Sequence, residues 1–271
     1  MDLQNTIYLI NNEICTKTPC LKPNTLIVYD VIRIIDKKPL FFYLHFDNLT
    51  KALNKFFNFG IEISSLKQQI KKLIELTNTT KGNVKIEIFS KNETIQTVLH
   101  FVPHYYPTPD QYDKGVTLNY MKAERKTPQL KTWQTNIRNN ANEIKSKTNS
   151  FEVLLLNDEN QITEGSRSNI LFIQNNTIIS PPSNLLLQGV TRKVLLNIIS
   201  ENDKLNYKES KVYYKHIKKF EAAFLTGTSL NILPVAKIND WNFNANNTII
   251  KQLISSFKIE VEYDINSFKY D

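Results

Sequence analysis

The chain has 271 residues, with 34 lysines and arginines against 26 aspartates and glutamates, which gives a formal net charge of +8. Its 41% hydrophobic and 11% aromatic residues are enough to bury a core, which excludes an intrinsically disordered protein. No apolar run approaches the ~18 residues of a membrane span, and residues 1–5 lack the basic and apolar regions of a secretory signal, so a cytoplasmic globular protein is expected.

The charge pattern and the cysteines argue against nucleic-acid-binding, disulfide-rich and zinc-binding proteins. Basic residues occur in pairs such as Lys37-Lys38 and not in a tract, so the sequence does not favour a nucleic-acid partner. Cys15 and Cys20 are the only cysteines, too few for a disulfide framework, and without a neighbouring histidine they make a poor zinc site. We therefore predict no metal site and no membrane or nucleic-acid partner.

Two amphipathic helices and a strand are predicted in the first half of the chain. An apolar face that begins at Leu49 predicts a helix ended by Gly60. A second apolar face, which begins at Leu66, predicts a helix with Ser64 or Ser65 as its N-cap. Residues 84–88 alternate between apolar and charged side chains, which indicates a half-buried strand.

The second half is predicted to be richer in strands. Apolar runs predict strands at residues 116–121, 151–156, 170–173 and 222–225, and the alternating residues 259–263 predict another. Helices are expected after Lys131, after Gly189 and after Asn247.

These elements predict an α+β chain with two unequal domains. Proline-bearing residues 103–113 and polar residues 122–129 flank the strand at 116–121, which indicates a boundary there. We predict a small N-terminal α/β domain over residues 1–116, a linker over 117–128 and a larger strand-rich domain over 129–271.

Lys131 is the first candidate catalytic residue. It follows the proline-marked boundary and precedes a predicted helix. A lysine amine can form a Schiff base with a carbonyl group when burial or a neighbouring cation lowers its pKa. The alternative is a solvated surface charge, which is what most lysines are.

Three later segments could bind a ligand. Glu164 lies in a Gly/Ser loop between predicted strands, which is either a ligand-facing loop or a plain turn. Gly189, Val190 and Thr191 would offer backbone N–H groups to an anion at a helix N-terminus, unless Thr191 only caps that helix. A hydroxyl-rich glycine turn suits a phosphate or a carboxylate, or is only a turn; it contains Thr228 and Ser229.

Taken in order, these segments resemble the fold-type-IV pyridoxal-phosphate enzymes, which include branched-chain and D-amino-acid aminotransferases and aminodeoxychorismate lyase. The motifs ITEGSRSNILFI, LLLQGVTR and LTGTSLNILPV carry the resemblance over residues 131–235, and VYDVIRIIDKKPLFFYLHFDNL extends it to residues 28–49. The resemblance implies a D-amino-acid-aminotransferase-like fold, with a cofactor cleft between the small domain and the larger one, and a homodimer.

The resemblance also implies roles for individual residues. Lys131 would hold pyridoxal 5'-phosphate as a Schiff base and move the substrate proton. Glu164 would face the pyridine nitrogen, where a carboxylate keeps that nitrogen protonated. The phosphate would be bound by Gly189, Val190, Thr191 and Thr228. Tyr29 would lie near the cofactor and the substrate, and Ser229 would meet the substrate carboxylate.

One position departs from the family pattern. The His-x-x-Arg-Leu motif, whose arginine pairs with the cofactor phosphate, reads His45-Phe46-Asp47-Asn48-Leu49 here. An amide can donate a hydrogen bond but brings no charge. Lys51, one turn further along the predicted helix, is our candidate for the missing charge. Arg192 is expected to brace its loop by ion pairing.

The resemblance predicts an aminotransferase that moves an amino group between an amino acid and a 2-oxo acid. Aminodeoxychorismate lyase, which uses the same lysine to release pyruvate and give 4-aminobenzoate, is an alternative that the compact length favours, whereas ITEGSRSN and LQGVTR favour a transaminase. A non-catalytic relative that binds a phosphorylated ligand or a protein partner is a third possibility. Asn48 favours it, and the presence of both Lys131 and Glu164 opposes it.

Overall fold

The computed structural model describes residues 7–17, 21 and 25–270. Residues 1–5, on which the expectation about a secretory signal rests, and Cys20 lie outside the described residues. Within the described residues, no helix is long and apolar enough to cross a membrane.

The strands occur in groups that are separated by helices. The α-helices of the described residues are α1 (Phe42–Phe57), α2 (Ile63–Thr77), α3 (Pro109–Lys114), α4 (Thr135–Thr148), α5 (Val190–Ser200) and α6 (Thr248–Ser267). The first strands are β1 (Tyr8–Ile10), β2 (Glu13–Cys15), β3 (Val28–Ile35), β4 (Lys38–Pro39), β5 (Lys81–Lys91), β6 (Thr94–Val102), β7 (Val116–Lys122) and β8 (Glu152–Leu156). The later strands are β9 (Gln161–Gly165), β10 (Asn169–Gln174), β11 (Thr177–Ser180), β12 (Asn206–Glu209), β13 (Val212–Tyr213), β14 (Ala222–Gly227), β15 (Asn231–Ile238) and β16 (Trp241–Asn242).

The chain divides into two compact units that are not continuous in sequence. The first unit comprises residues 1–105, 130–133 and 261–271, and the second comprises residues 106–129 and 134–260. The domain limits expected from the sequence, with their linker over 117–128, stay a prediction.

The first unit is built on a sheet of six described strands. They lie in the order β2-β1-β6-β5-β3-β4, and every neighbouring pair is antiparallel. Alternate residues such as Ile32, Val84 and Ile86 are buried in one core with the apolar faces of α1 and α2. Lys85 and Glu87 lie between the buried residues of β5 and point to the other face of the sheet. This alternation confirms the half-buried strand predicted at residues 84–88.

Residues 261–270 contribute to the core and the hydrogen bonds of the first unit. Phe268 is 5% exposed, and its ring centroid lies 5.7 Å from that of Phe42. The N–H of Phe41 donates a 2.6 Å hydrogen bond to the carboxylate of Asp264, which lies 223 positions later in the chain. The hydroxyl of Tyr270 donates to the carbonyl of Lys37, in the turn between β3 and β4, at 2.7 Å. The start of α1 is therefore held by a distant part of the sequence.

The second unit is built on a sheet of ten described strands. Nine of them lie in the order β12-β11-β10-β14-β15-β7-β8-β9-β13, and β16 pairs with β15. Strand β7 is parallel to both β8 and β15, and β11 is parallel to β12. The apolar runs of β8, β10 and β14 are almost entirely buried, which confirms the strands predicted there. Together with the helices, the two sheets confirm the predicted α+β class.

The strand predicted at residues 259–263 is wrong, because these residues lie inside α6. The side chains of Ile259 and Tyr263 are 64% and 71% exposed, so their apolar character does not mark a buried face. The buried residues of this helix, Ile250, Leu253 and Phe257, recur every three or four positions. The helical period of the whole segment prevails over a short alternation at its end.

Two helix ends also differ from the prediction. Helix α1 ends at Phe57, and Asn58, not Gly60, takes the left-handed conformation at φ 47° that terminates it. Helix α2 has Glu62 as its N-cap, not Ser64 or Ser65. Asparagine tolerates the left-handed region better than most residues, so it can end a helix before the glycine is reached.

Candidate active site

Lys131 is held beside β3 by main-chain hydrogen bonds within the first unit. The N–H of Tyr29 donates to the carbonyl of Lys131, and the N–H of Trp133 donates to the carbonyl of Ile27, both at 3.1 Å. A bridge between Val28 and the residue after Lys131 completes the pairing. Residues 130–133 thus act as a short extra strand, which fixes the backbone from which the Lys131 side chain extends.

The Lys131 amine lies at the end of a line of three polar side chains. Its Nζ is 2.6 Å from Asp30 Oδ1, and Asp30 Oδ2 is 2.8 Å from His45 Nδ1. Burial would raise the pKa of Asp30, but the charges of Lys131 and His45 outweigh it and hold that pKa well below its usual range. Asp30 is therefore a carboxylate at neutral pH that orients the Lys131 amine.

Tyr29 contacts the same lysine. The Tyr29 ring is 3% exposed, and its centroid lies 5.4 Å from Lys131 Nζ. Its edge meets the Trp133 ring at a centroid distance of 5.6 Å. The structure thus brings together Tyr29 and Lys131, two of the residues singled out from the sequence.

Asn48 and Lys51 both lie on α1. Lys51 Nζ is 2.8 Å from Asp47 Oδ2, and its side chain is 65% exposed. An exposed ion pair of this kind contributes little to stability, so Lys51 can leave Asp47 for another anion at small cost. Asn48 is half-buried on the same helix. Their roles toward a phosphate stay predictions.

Glu164 is a buried carboxylate of strand β9 in the second unit, so the expectation that it lies in a Gly/Ser loop is wrong. Oε2 accepts a 3.1 Å hydrogen bond from the N–H of Leu187. Oε1 lies 2.7 Å from Arg125 Nε but accepts no hydrogen bond from the described residues, so this contact is an ion pair without a directed N–H. Burial raises the pKa of Glu164 to about 7, although Arg125 opposes the rise. Such an oxygen suits a positively charged donor, for example a protonated ring nitrogen.

Glu152 fixes the turn that follows Glu164. Its Oε1 accepts a hydrogen bond from the Ser166 hydroxyl at 2.7 Å. Its Oε2 accepts hydrogen bonds from the Ser168 hydroxyl and the Arg167 N–H, both at 3.1 Å. One buried carboxylate therefore serves three donors of the predicted Gly/Ser loop and holds it in a single conformation.

The N-terminus of α5 is open to an anion. Gly189 is its N-cap, and no side chain of the described residues caps it. Thr191 lies in the first turn, so the alternative in which it caps the helix is wrong. The first N–H groups of a helix have no acceptor within it and carry a partial positive charge. The N–H of Gly189 donates to the carbonyl of Leu187 at 2.9 Å, so the donors left for an anion are those of Val190 and Thr191. The role of all three residues toward a phosphate stays a prediction.

Asn169, which the sequence did not single out, connects these features. Its side-chain amide donates to the carbonyl of Leu187 at 2.7 Å, and Leu187 is the residue whose N–H binds Glu164. Asn169 pairs with Thr226 across β10 and β14, and Thr228 and Ser229 follow in the turn after β14. The motif ITEGSRSNILFI contains Asn169, but only its position at the start of β10 reveals the contact.

Replacing Gly189 with alanine is expected to lower the free energy of unfolding by ~1–3 kcal/mol, because the new methyl group would crowd the Asn169 side chain. A Cβ at this position would lie 2.7 Å from Asn169 Oδ1. Thermal and urea unfolding measure the change. Gly60→Ala is the matched control, since the space around Gly60 is open to 4 Å. Equal stability of both variants would contradict the close approach.

Arg192 forms the ion pair that the sequence predicts. Its Nη2 lies 3.2 Å from Glu209 Oε1 and donates to the hydroxyls of Ser180 at 3.1 Å and Tyr207 at 2.7 Å. The side chain is 2% exposed, so this network ties α5 to β11 and β12 from inside the second unit. The expectation that Arg192 is a bracing residue is confirmed.

Both the sequence and the fold of this chain match known proteins. The sequence profile of the family described as amino-transferase class IV matches residues 27–238. The D-alanine aminotransferase of Bacillus licheniformis is 26% identical over 233 residues, which cover 78% of each protein. The branched-chain amino acid aminotransferase of Escherichia coli superposes with a TM-score of 0.82 at 17% identity, with 98% of each chain covered. The 4-amino-4-deoxychorismate lyase of Pseudomonas aeruginosa superposes with a TM-score of 0.81 at 14% identity, over 94% of this chain and 99% of that one. These likenesses confirm the predicted fold.

Proposed function

Because this chain belongs to the amino-transferase class IV family, we propose that it is an aminotransferase that uses pyridoxal 5'-phosphate to move an amino group between an amino acid and a 2-oxo acid. The observation that carries the proposal is the Lys131 amine, 2.6 Å from the buried Asp30 carboxylate. This contact orients the amine, and loss of one proton frees its nitrogen to bond to an aldehyde.

The described residues fit pyridoxal phosphate. The open Oε1 of Glu164 suits a protonated pyridine nitrogen. The uncapped N-terminus of α5 suits the phosphate dianion, with the Thr228 hydroxyl as a further donor. When bound, pyridoxal phosphate acts as an electron sink that makes the Cα proton of an amino acid acidic.

The residues proposed for the site take different roles. Lys131 would hold the cofactor through Nζ and would carry the proton that leaves the substrate Cα. The pKa of Asp30 is held well below its usual range, which makes Asp30 a poor base, so its proposed role is to orient the Lys131 amine. Tyr29 of the first unit and Ser229 of the second are proposed to contact the substrate, with Ser229 at its carboxylate.

The absorption spectrum of the purified protein tests the cofactor. We expect a visible band after addition of pyridoxal phosphate, and we expect reduction with borohydride followed by peptide mass spectrometry to place the adduct on Lys131. A protein that stays colourless and unlabelled would refute the use of pyridoxal phosphate. That result would favour the alternative of a non-catalytic relative, which the asparagine at position 48 in place of the family arginine also favours.

Two assays then separate the candidate reactions. A transaminase needs a 2-oxo acid to complete each cycle, whereas a lyase releases pyruvate from aminodeoxychorismate without one. We expect amino transfer from an amino acid to a 2-oxo acid, and both D- and L-amino acids are tested as donors. Pyruvate release without amino transfer would establish the lyase alternative. The structural similarity to the lyase of Pseudomonas aeruginosa is consistent with that alternative.

Introducing the missing arginine should tighten cofactor binding. Asn48→Arg is expected to raise the affinity for pyridoxal phosphate about tenfold, because a hydrogen bond that also pairs charges exceeds a neutral one by about 1.4 kcal/mol. Lys51→Ala should lower the affinity if Lys51 supplies the charge at present. Lys55→Ala, on the exposed side of the same helix, is the control. Unchanged affinity in Lys51→Ala would remove Lys51 from the phosphate site.

The predicted homodimer and cytoplasmic location remain expectations based on the family resemblance and the composition. Light scattering on the purified protein tests the first, and cell fractionation tests the second.

A further inference from the structure

Arg125 contacts both Glu164 and the turn that follows it. Its Nε lies 2.7 Å from Glu164 Oε1, and its Nη2 donates a 2.8 Å hydrogen bond to the carbonyl of Ser166. The Arg125 side chain is 10% exposed and that of Glu164 is 3% exposed. A single guanidinium thus reaches the carboxylate and the main chain two residues beyond it, away from bulk solvent.

Glu164 needs a neighbouring cation to stay ionised at this depth. A carboxylate taken out of water without a partner takes up a proton. Burial is the largest influence on Glu164, the Glu152 carboxylate of β8 adds to it, and Arg125 with the N–H of Leu187 opposes both. With Arg125 in place these influences raise the pKa of Glu164 to about 7. Loss of the guanidinium would leave burial and Glu152 opposed only by one backbone N–H.

The position of the Arg125 guanidinium is fixed by a second contact. Its Nη2 donates to the Ser166 carbonyl at 2.8 Å, while its Nε lies 2.7 Å from Glu164 Oε1. The guanidinium is planar, so these two contacts hold its charge beside the Glu164 carboxylate.

We propose that Arg125 is a positioning residue that keeps Glu164 as a carboxylate and holds it ready to accept a hydrogen bond from the cofactor nitrogen. The second half of this statement rests on the proposed function. The first half concerns two side chains of the second unit and can be tested without any cofactor.

The ionisation of Glu164 can be followed in the protein without cofactor by NMR with carboxyl-¹³C glutamate. The signal that disappears in Glu164→Gln identifies the residue. In Arg125→Gln we expect the midpoint of its titration to rise by ~1–3 pH units, the usual effect of removing an adjacent opposite charge. Arg125→Lys keeps the charge and should stay within about half a unit of the unmodified protein.

Arg167→Gln is the matched control. Arg167 belongs to the same turn, but its Nη2 lies 2.9 Å from Asn142 Oδ1 at the protein surface. This variant should leave the Glu164 titration unchanged. A role for Arg125 that is only structural would lower the melting temperature in Arg125→Gln without moving the titration, and an unmoved midpoint would overturn the proposal.

Cofactor binding provides the second measurement. The affinity of Arg125→Gln for pyridoxal phosphate at neutral pH should fall about tenfold, since a protonated Glu164 no longer pairs with a charged nitrogen. If the unmodified protein does not bind pyridoxal phosphate, the proposed function fails while the NMR titration still decides the role of Arg125. If Arg125→Gln does not fold, Arg125→Gln/Glu164→Gln should recover the fold, because it removes both charges. A double variant that stays unfolded would also overturn the proposal.

Discussion

Replacement of Lys131 by arginine is expected to lower the rate of amino transfer by ~10³-fold or more while the protein stays folded. The guanidinium can preserve the ion pair with Asp30, whose Oδ1 now lies 2.6 Å from the lysine Nζ. It cannot bond covalently to an aldehyde or accept a proton, because its pKa exceeds 12. Steady-state rates with an amino acid and a 2-oxo acid give the size of the effect, and the visible band of the bound cofactor should disappear in parallel.

Lys147→Arg is the control for this experiment. Lys147 is an exposed lysine that pairs with Glu143 on α4, so the same chemical change at that position should leave rate and spectrum as they are. A Lys131→Arg variant that retains the rate of the unmodified protein would show that another group carries the proton and holds the cofactor.

Replacement of Asp30 by asparagine should destabilise the protein by about 3 kcal/mol at neutral pH, since the buried partners of a carboxylate lose their compensating charge. Asp30 is 3% exposed and contacts both Lys131 and His45. Urea unfolding followed by circular dichroism measures the loss. Asp113→Asn, at an exposed position, should change the free energy of unfolding by less than ~0.5 kcal/mol.

The difference in stability between the unmodified protein and Asp30→Asn should depend on pH in a defined direction. The folded pKa of Asp30 lies below the ordinary value of ~4, so its ionisation stabilises the protein fully above that value and less as the pH falls below it. The difference in unfolding free energy between the unmodified protein and Asp30→Asn should be level around neutral pH and shrink below about pH 4. A difference that grows on acidification would contradict the ion pairs.

The sequence predicted strands best where apolar residues form an unbroken run. The runs that form β8, β10 and β14 are buried almost throughout, so a short window was enough to recognise them. The strand prediction for residues 259–263 failed because a window of five residues cannot distinguish a strand from the exposed side of a long helix. The predicted ends of α1 and α2 were wrong because these ends depend on the backbone conformation of Asn58 and Glu62, which composition does not determine.

At the candidate site, the motifs singled out the residues with chemistry of their own but not the residues that control them. Lys131 and Glu164 were singled out because the motifs that contain them resemble those of a known family. Asp30 carried a weak signal, as a charged residue inside an apolar strand, whereas Arg125 carried none. Their partners come from separate parts of the chain, and contacts between distant segments become visible only when the sheets are assembled.

The discontinuous first unit has a consequence for the order in which the protein can assemble on the ribosome. The strand-like segment with Lys131 and the anchor around Phe268 both belong to this unit, yet they are synthesised after its six-stranded sheet. The N–H of Phe41, at the start of α1, donates to Asp264. A nascent chain that has emerged as far as residue 105 therefore lacks part of the core of the first unit, and Asp30 lacks its Lys131 partner. The first unit can be completed only after residues 106–260 have been synthesised.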